Sequence, residues 1–261
     1  FMNEDFSGAV TSSEYAIAID PDDPEGVITK ANGLYRLGNY EEAITYYDRY
    51  GEITTPDEFS LLHKGACLLN LNRMEEAITV LRQAIAVSPH DSTILPQVYQ
   101  ELAFCYSRLQ RLEDAMQCLD ETKDMGYDHA ELLVLKGHIL LENGHNKEAE
   151  DYFKEAIVLS HNNPDILLRI MVSLHDNQYV RTSYNMFKRF FERVVDDTYH
   201  NGYSYMALCC WDLGLTDEFL EYLHKAVEHN PKEARAVLGH LFPEGMEVDA
   251  YYHYICQNLK K

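Results

Sequence analysis

Apolar and small residues recur along the chain at three- and four-residue spacing, in pairs of blocks separated by short polar turns. In residues 58–91, Leu61, Lys64, Gly65 and Leu68 fall on one face of a first helix, and "NLNR" makes a turn. Ala77, Leu81 and Ala84 then share one face of a second helix, which Pro89 ends. Small residues at Gly65 and Ala77 allow the two antiparallel helices to approach closely. Each pair buries only part of its apolar surface, so it must stack on its neighbours to bury the rest.

The pattern repeats. "YEEAITYY" at 40–47 returns as "MEEAITVL" at 74–81, in the same register 34 residues later. From Ala43 and Ala77 the series continues to Ala115, Ala149 and Ser183, at intervals of 34, 38, 34 and 34 residues. One step back from Ala43 lies Ala9. The predicted units are 24–57, 58–91, 96–129, 130–163, 164–197 and 200–233.

This register resembles the tetratricopeptide repeat, with its W-x2-L-G-x2-Y…A-x3-F…P pattern and the same period. The first unit carries the resemblance in Leu34, Gly38, Tyr40, Ala43, Tyr47 and Pro56. The third carries it in Tyr99, Leu102, Ala103, Tyr106, Ala115 and Leu119, and the fourth in Leu133, Gly137, Leu140, Gly144, Ala149 and Phe153. The fifth matches through Leu167, Ile170, Leu174, Ser183 and Phe187, and the sixth through Tyr203, Met206, Ala207, Gly214, Leu223, Ala226 and Pro231. The implied fold is all-α, a right-handed α-solenoid of stacked helix pairs. Lys64 and Lys136 depart from the pattern where it has Leu. Phe219 stands where it has a small residue and is expected to push its two helices apart. Extra residues near 92–95 and 198–199 read as longer turns between units.

Residues 1–23 read as the second helix of a repeat whose first helix is absent, with Phe6, Ala9, Val10 and Ile17 beside an open apolar surface suited to self-association. A chain that starts in mid-repeat, with Phe before its first Met, reads as a fragment, so the lack of a signal peptide carries no information about export. At the other end, residues 234–261 read as capping helices, with Val248, Tyr251, Tyr252, Ile255 and Leu259 on one face.

Charge narrows the partners. With 22 basic and 43 acidic residues the formal charge is −21, which repels a phosphate backbone and disfavours nucleic acid. Lys136 and His138 interrupt the most apolar stretch, "ELLVLKGHILL", and no run is long enough to span a membrane. The six cysteines show no CxxC spacing; Cys67, Cys105 and Cys209 occupy equivalent repeat positions, which points to packing and suits a reducing cytoplasm.

Catalytic signatures are missing: there is no GxGxxG, P-loop, GxSxG or HExxH. His224, Glu228 and His229 have the wrong spacing for a zinc protease, and His138 and His145 lack a third ligand, so no metal or cofactor is expected. What remains is a surface. In the resembled architecture the first helices line a concave groove, and the groove positions here include Asn32, Tyr35, Arg36, His63, Asn70, Glu101, Phe104, Arg108, His138, Arg169, His175, Tyr205 and Trp211. Mixed aromatic and hydrogen-bonding groups suit a peptide or partner protein. Trp211 reads either as a groove anchor or as a filler toward the C-terminal cap. The carboxylate clamp of chaperone adaptors is not carried over: Asn32 matches it, but Ile28, His63 and Gln97 do not. The expected function is a non-enzymatic interaction scaffold. The alternatives are a regulatory or ligand-sensing module of a larger protein with its effector domain upstream, and an enzyme with a Tyr, His and Glu site in the groove.

Overall fold

The periodic segments fold as antiparallel helix pairs, and the computed structural model describes them over residues 6–88, 93–193, 199, 201–241 and 250. Two compact units divide the chain, residues 1–132 and 133–261. The first holds α1 (Phe6–Ile19), α2 (Pro24–Arg36), α3 (Tyr40–Ile53), α4 (Glu58–Asn70), α5 (Met74–Val87), α6 (Leu95–Arg108) and α7 (Leu112–Glu121). The division falls within α8 (His129–Glu142). The second unit continues with α9 (Asn146–Leu159), α10 (Pro164–Asp176), α11 (Val180–Arg193), α12 (Asn201–Asp212), α13 (Thr216–His229) and α14 (Pro231–Leu238). Among the described residues there is no strand, and the all-α architecture of stacked helix pairs is the one expected. The C-terminal capping positions Val248, Tyr251, Tyr252, Ile255 and Leu259, Pro89, and residues 92 and 198 of the two longer turns lie outside the described residues.

Four helices, α2, α4, α10 and α14, start on side-chain caps. Asp23 accepts from the N–H groups of Glu25 and Gly26, Asp57 from Ser60 N–H, Asn163 from Asp165 N–H and Asn230 from Glu233 N–H. Proline follows three of these caps, where its missing N–H costs nothing. The reversal into each second helix uses one left-handed residue: Gly38, Asn72, Gln110, Gly144, Gln178 or Gly214, with φ between 59° and 80°. The following N–H then donates to a carbonyl five residues back, as Asn39 does to Leu34 at 2.9 Å. The same bond joins Arg73 to Leu68, Arg111 to Tyr106, His145 to Leu140, Tyr179 to Leu174 and Leu215 to Cys210, each at 2.8 Å. This is the Schellman closure of a helix end, and it is identical in six turns.

Within a pair, a glycine on the first helix faces a large side chain on the second. A Cβ on Gly65 would lie 2.6 Å from Leu81 Cδ2, and one on Gly137 would collide with the Phe153 ring. Ala43, Ala77, Ala115, Ala149 and Ser183 are fully buried, as their anchoring register requires. Cys67, Cys105, Cys209 and Cys210 are buried as well, and burial pushes the Cys67, Cys105 and Cys210 thiols up to about 12. These thiols are core hydrophobes rather than nucleophiles.

Three expectations need refinement. Lys64 is not a gap in the core, because its ammonium pairs with Asp48 on the preceding second helix. Lys136 is buried with its ammonium over the Tyr152 ring at 5.8 Å. Phe219 does not splay its pair: α12 and α13 pack as closely as α2 and α3. Its ring is 1% exposed, rests on Trp211 at 5.1 Å, and borders a cavity of about 250 Å³. The pair thus accommodates the ring without being displaced. Phe6, Ala9, Val10 and Ile17 on α1 are half-buried rather than open, with Val10 over Gly33 and Ile17 beside Gly26 of α2. The exposed apolar side chains of α1 are Tyr15 and Ile19.

Two substitutions test the pair geometry. Gly137→Ala should lower the urea midpoint, by an amount equivalent to about 1–2 kcal/mol, despite alanine's better helix propensity. Gln110→Gly should raise it by about 0.5–1 kcal/mol, since glycine adopts the left-handed turn without strain. Circular dichroism during urea unfolding measures both.

Candidate functional site

Successive first helices bring the groove positions together within each unit. In the first unit α2, α4 and α6 contact one another in order. Tyr35 of α2 stacks on His63 of α4 with ring centres 5.1 Å apart and 23° between planes, and Tyr47 of α3 approaches the same imidazole at 6.5 Å. Burial and the nearby Arg36 charge push the His63 imidazole below its ordinary value, so it is neutral at pH 7. Glu101 of α6 is close enough to raise the Tyr35 hydroxyl, after burial, the larger cause.

Glu101 is the unusual member. Burial alone holds its carboxyl above the usual carboxylate range. Among the described residues no side-chain or backbone donor hydrogen-bonds to it, and no cation pairs with it. The adjacent Gln100 Nε2 is also buried without an acceptor among the described residues. A half-buried carboxylate without a partner among the described residues and a buried donor without an acceptor thus occupy consecutive positions on α6.

The other predicted positions of this unit are engaged differently. Asn32 Oδ1 accepts from the Tyr47 hydroxyl at 2.7 Å. Asn70 Nδ2 donates to the Ala66 carbonyl of its own helix, and Arg36 is drawn back over the Phe6 ring of α1 at 4.9 Å. Phe104, half-buried, and Arg108, exposed, continue the Glu101 face one and two turns along α6.

In the second unit α10 meets α8 on one edge and α12 on the other. His138 Nδ1 lies 2.9 Å from Ser173 Oγ and 3.3 Å from Asn177 Nδ2. Asn177 Nδ2 also donates to the Ser173 carbonyl, which fixes its amide orientation. An amide N–H can only donate, so His138 Nδ1 accepts and the ring proton sits on Nε2, toward Glu142 at 3.8 Å. On the opposite edge, buried His175 places Nε2 3.0 Å from Asp212 Oδ2 and Nδ1 3.4 Å from Asp176 Oδ1. The hydrogen bond to Asp176 is the main cause that pushes the His175 imidazole up; burial opposes it and Asp212 adds to it. Tyr205 of α12 meets the His175 ring edge-on at 6.4 Å. Arg169 is exposed on the strip between these edges. Trp211 is 41% exposed and leans on Phe219, so the α12 residue that reaches His175 is its neighbour Asp212.

Sequence reading did not find the partners of His138. Ser173 and Asn177 sit one repeat further on, and the signal available was their spacing from His138, close to the repeat period.

Known proteins carry the same pattern. Family models described as "Tetratricopeptide repeat" match residues 68–139 and 130–162, and the model "Anaphase-promoting complex, cyclosome, subunit 3" matches residues 2–84. A TPR repeat-containing thioredoxin of Arabidopsis thaliana is 29% identical over 142 residues, which are 52% of this chain and 20% of that protein. Human tetratricopeptide repeat protein 7A is 27% identical over 153 residues, 56% of this chain and 17% of that one. The chain therefore spans about a fifth of the length of the curated relatives it matches. A solved tetratricopeptide repeat protein from Parabacteroides merdae superposes with a TM-score of 0.63 at 14% identity, covering 90% of this chain and 91% of that one, a likeness of fold. Repeat register, six identical turns and matching family models agree: the chain belongs to the tetratricopeptide-repeat proteins.

Proposed function

We propose that this chain is a protein-interaction scaffold that binds a peptide or partner segment across the exposed faces of its first helices. The observation that carries the reading is Glu101, a carboxylate with no donor among the described residues, seated beside the unsatisfied Gln100 amide and the Tyr35–His63 stack. Leaving the Gln100 amide dry costs roughly 1–3 kcal/mol, a cost that a bound backbone carbonyl would offset, while a cationic side chain would pair with the half-buried Glu101 carboxylate. The stacked rings add a rigid apolar platform. In the second unit the His175–Asp212 and His138–Ser173 pairs with Tyr205 offer a similar mixture. The repeat family, and the match of residues 2–84 to a family named for a subunit of a multiprotein complex, support the scaffold reading. Among the described residues no helix is long and apolar enough to cross a membrane. Buried free thiols fit a cytoplasmic setting.

Peptides selected from a random library on the 261-residue chain provide the probe. Glu101→Gln should weaken the selected peptides at least about tenfold. The same change should raise stability at pH 7 by about 0.5–1 kcal/mol, because a carboxyl with a raised folded pKa destabilises the fold once it ionises. Peptides indifferent to Glu101→Gln and to Tyr205→Phe would overturn the reading.

His175 makes the second unit sensitive to pH. Its folded pKa is raised above 6.5, so its contribution is complete below 6.5 and is lost as pH rises through the folded value. Wild type minus His175→Asn in urea unfolding should therefore shrink by roughly 1 kcal/mol from acid to alkaline pH.

A further inference from the structure

The second unit is loosely packed where α9 meets α10. α9 packs on α10 less closely than α5 packs on α6. Two cavities, of about 350 and 470 Å³, open along the seam between α9 and α11, and both are bordered by Ile157 and Met186. α10 supplies the floor through Leu167, Ile170, Met171 and Leu174. Phe153 belongs to the wall on α9 and Phe190 to the wall on α11. Beside Ile157, Val158 is 72% exposed and extends the apolar surface past the rim. Each wall is a helix of 14 residues, so the seam runs for about 20 Å. That is the shape which accepts an amphipathic helix, with anchors every three or four residues.

Charge assigns the occupant. In this chain of formal charge −21, the cations of Lys30, Lys64, Arg73, Arg111, Lys154, Lys188 and Lys225 each meet a carboxylate. Arg189 and Arg193 border one end of the seam, are exposed, and meet no carboxylate among the described residues. At the other end Glu150 and Lys154 neutralise each other at 2.7 Å. The groove is apolar along its length, positive at one end and neutral at the other. We propose that it docks an amphipathic helix of a partner protein, lying between α9 and α11 with an acidic terminal turn over Arg189 and Arg193. An acidic last turn would place both its carboxylates and the negative end of the helix dipole on the guanidinium groups. This surface lies on the opposite side of α10 from Ser173 and the strip of Arg169 and Asp176, so it is separate from the first-helix faces.

The test uses the whole 261-residue chain and a fluorescein-labelled peptide of about 14 residues, with leucines at helical spacing and glutamates in its last turn. A matched peptide carries lysines in place of the glutamates. Fluorescence anisotropy should show the acidic peptide binding and the basic one binding at least about tenfold more weakly. Arg189→Glu with Arg193→Glu, both at exposed positions, should reverse that preference with unchanged circular dichroism. Glu101→Gln should leave acidic-peptide binding unaltered, which separates this groove from the first-helix surface. Equal binding of the two peptides, no binding of either, or a preference that survives the charge reversal would overturn the proposal. So would sedimentation showing the chain pairing with itself in a manner abolished by the same double variant.

Discussion

Two helices of a hairpin approach closely where one lacks a side chain, and the rest of the structure is placed by that contact. Gly65 against Leu81 and Gly137 against Phe153 are the same contact, with the partners sixteen positions apart in each. A left-handed residue and a Schellman bond then reverse the chain at one fixed point of every repeat. With separation and reversal fixed, the remaining freedom is how one hairpin sits on the next. Side chains on successive first helices consequently meet at about one repeat's distance, as Tyr35 with His63, His138 with Ser173, and His175 with Asp212 do.

The polar groups admitted to the stack obey the same register. Lys30 reaches back to Glu14 on α1 at 2.9 Å, and Lys64 reaches back to Asp48 on α3, sixteen residues in both cases. Lys30 also lies over Tyr46 at 4.5 Å, as Lys136 does over Tyr152. The lysine stem covers apolar surface where a leucine would pack, while the ammonium meets a carboxylate or an aromatic face. Such pairs add little net stability, since desolvation consumes most of the Coulombic gain. Removing one partner alone would strand the other.

Helices, turns and small-residue anchors were legible because they are set by local period: Ala43, Ala77, Ala115 and Ala149 mark the buried face without reference to any other repeat. The lysines at 64 and 136 were legible only as departures. Their partners lie on other helices, and the pattern carries no record of which helices touch. Phe219 shows the same limit, since whether a large side chain displaces its pair depends on the room its neighbours leave, and here its ring rests on Trp211. Groove positions could be named in the sequence, but not their state. That Asn32 and Asn70 are already hydrogen-bonded while Glu101 has no partner among the described residues depends on tyrosines and carbonyls from other turns.

α10 shows how one helix can serve two different surfaces. Arg169 and Asp176 lie on one side, flanked by Ser173 and His175, whose polar bonds tie it to α8 and α12. Leu167, Ile170, Met171 and Leu174 occupy the other side and form the floor of the outer seam. The first side carries a histidine between two carboxylates and responds to pH; the second is apolar, with guanidinium groups at one end that meet no carboxylate among the described residues. Salt would weaken attraction to the exposed arginines far more than contacts around the buried His175. A repeat of 34 residues has too little interior to bury all its apolar surface alone. Stacking uses most of the remainder, and where stacking is loose, as between α9 and α10, the unfilled surface becomes available to another chain.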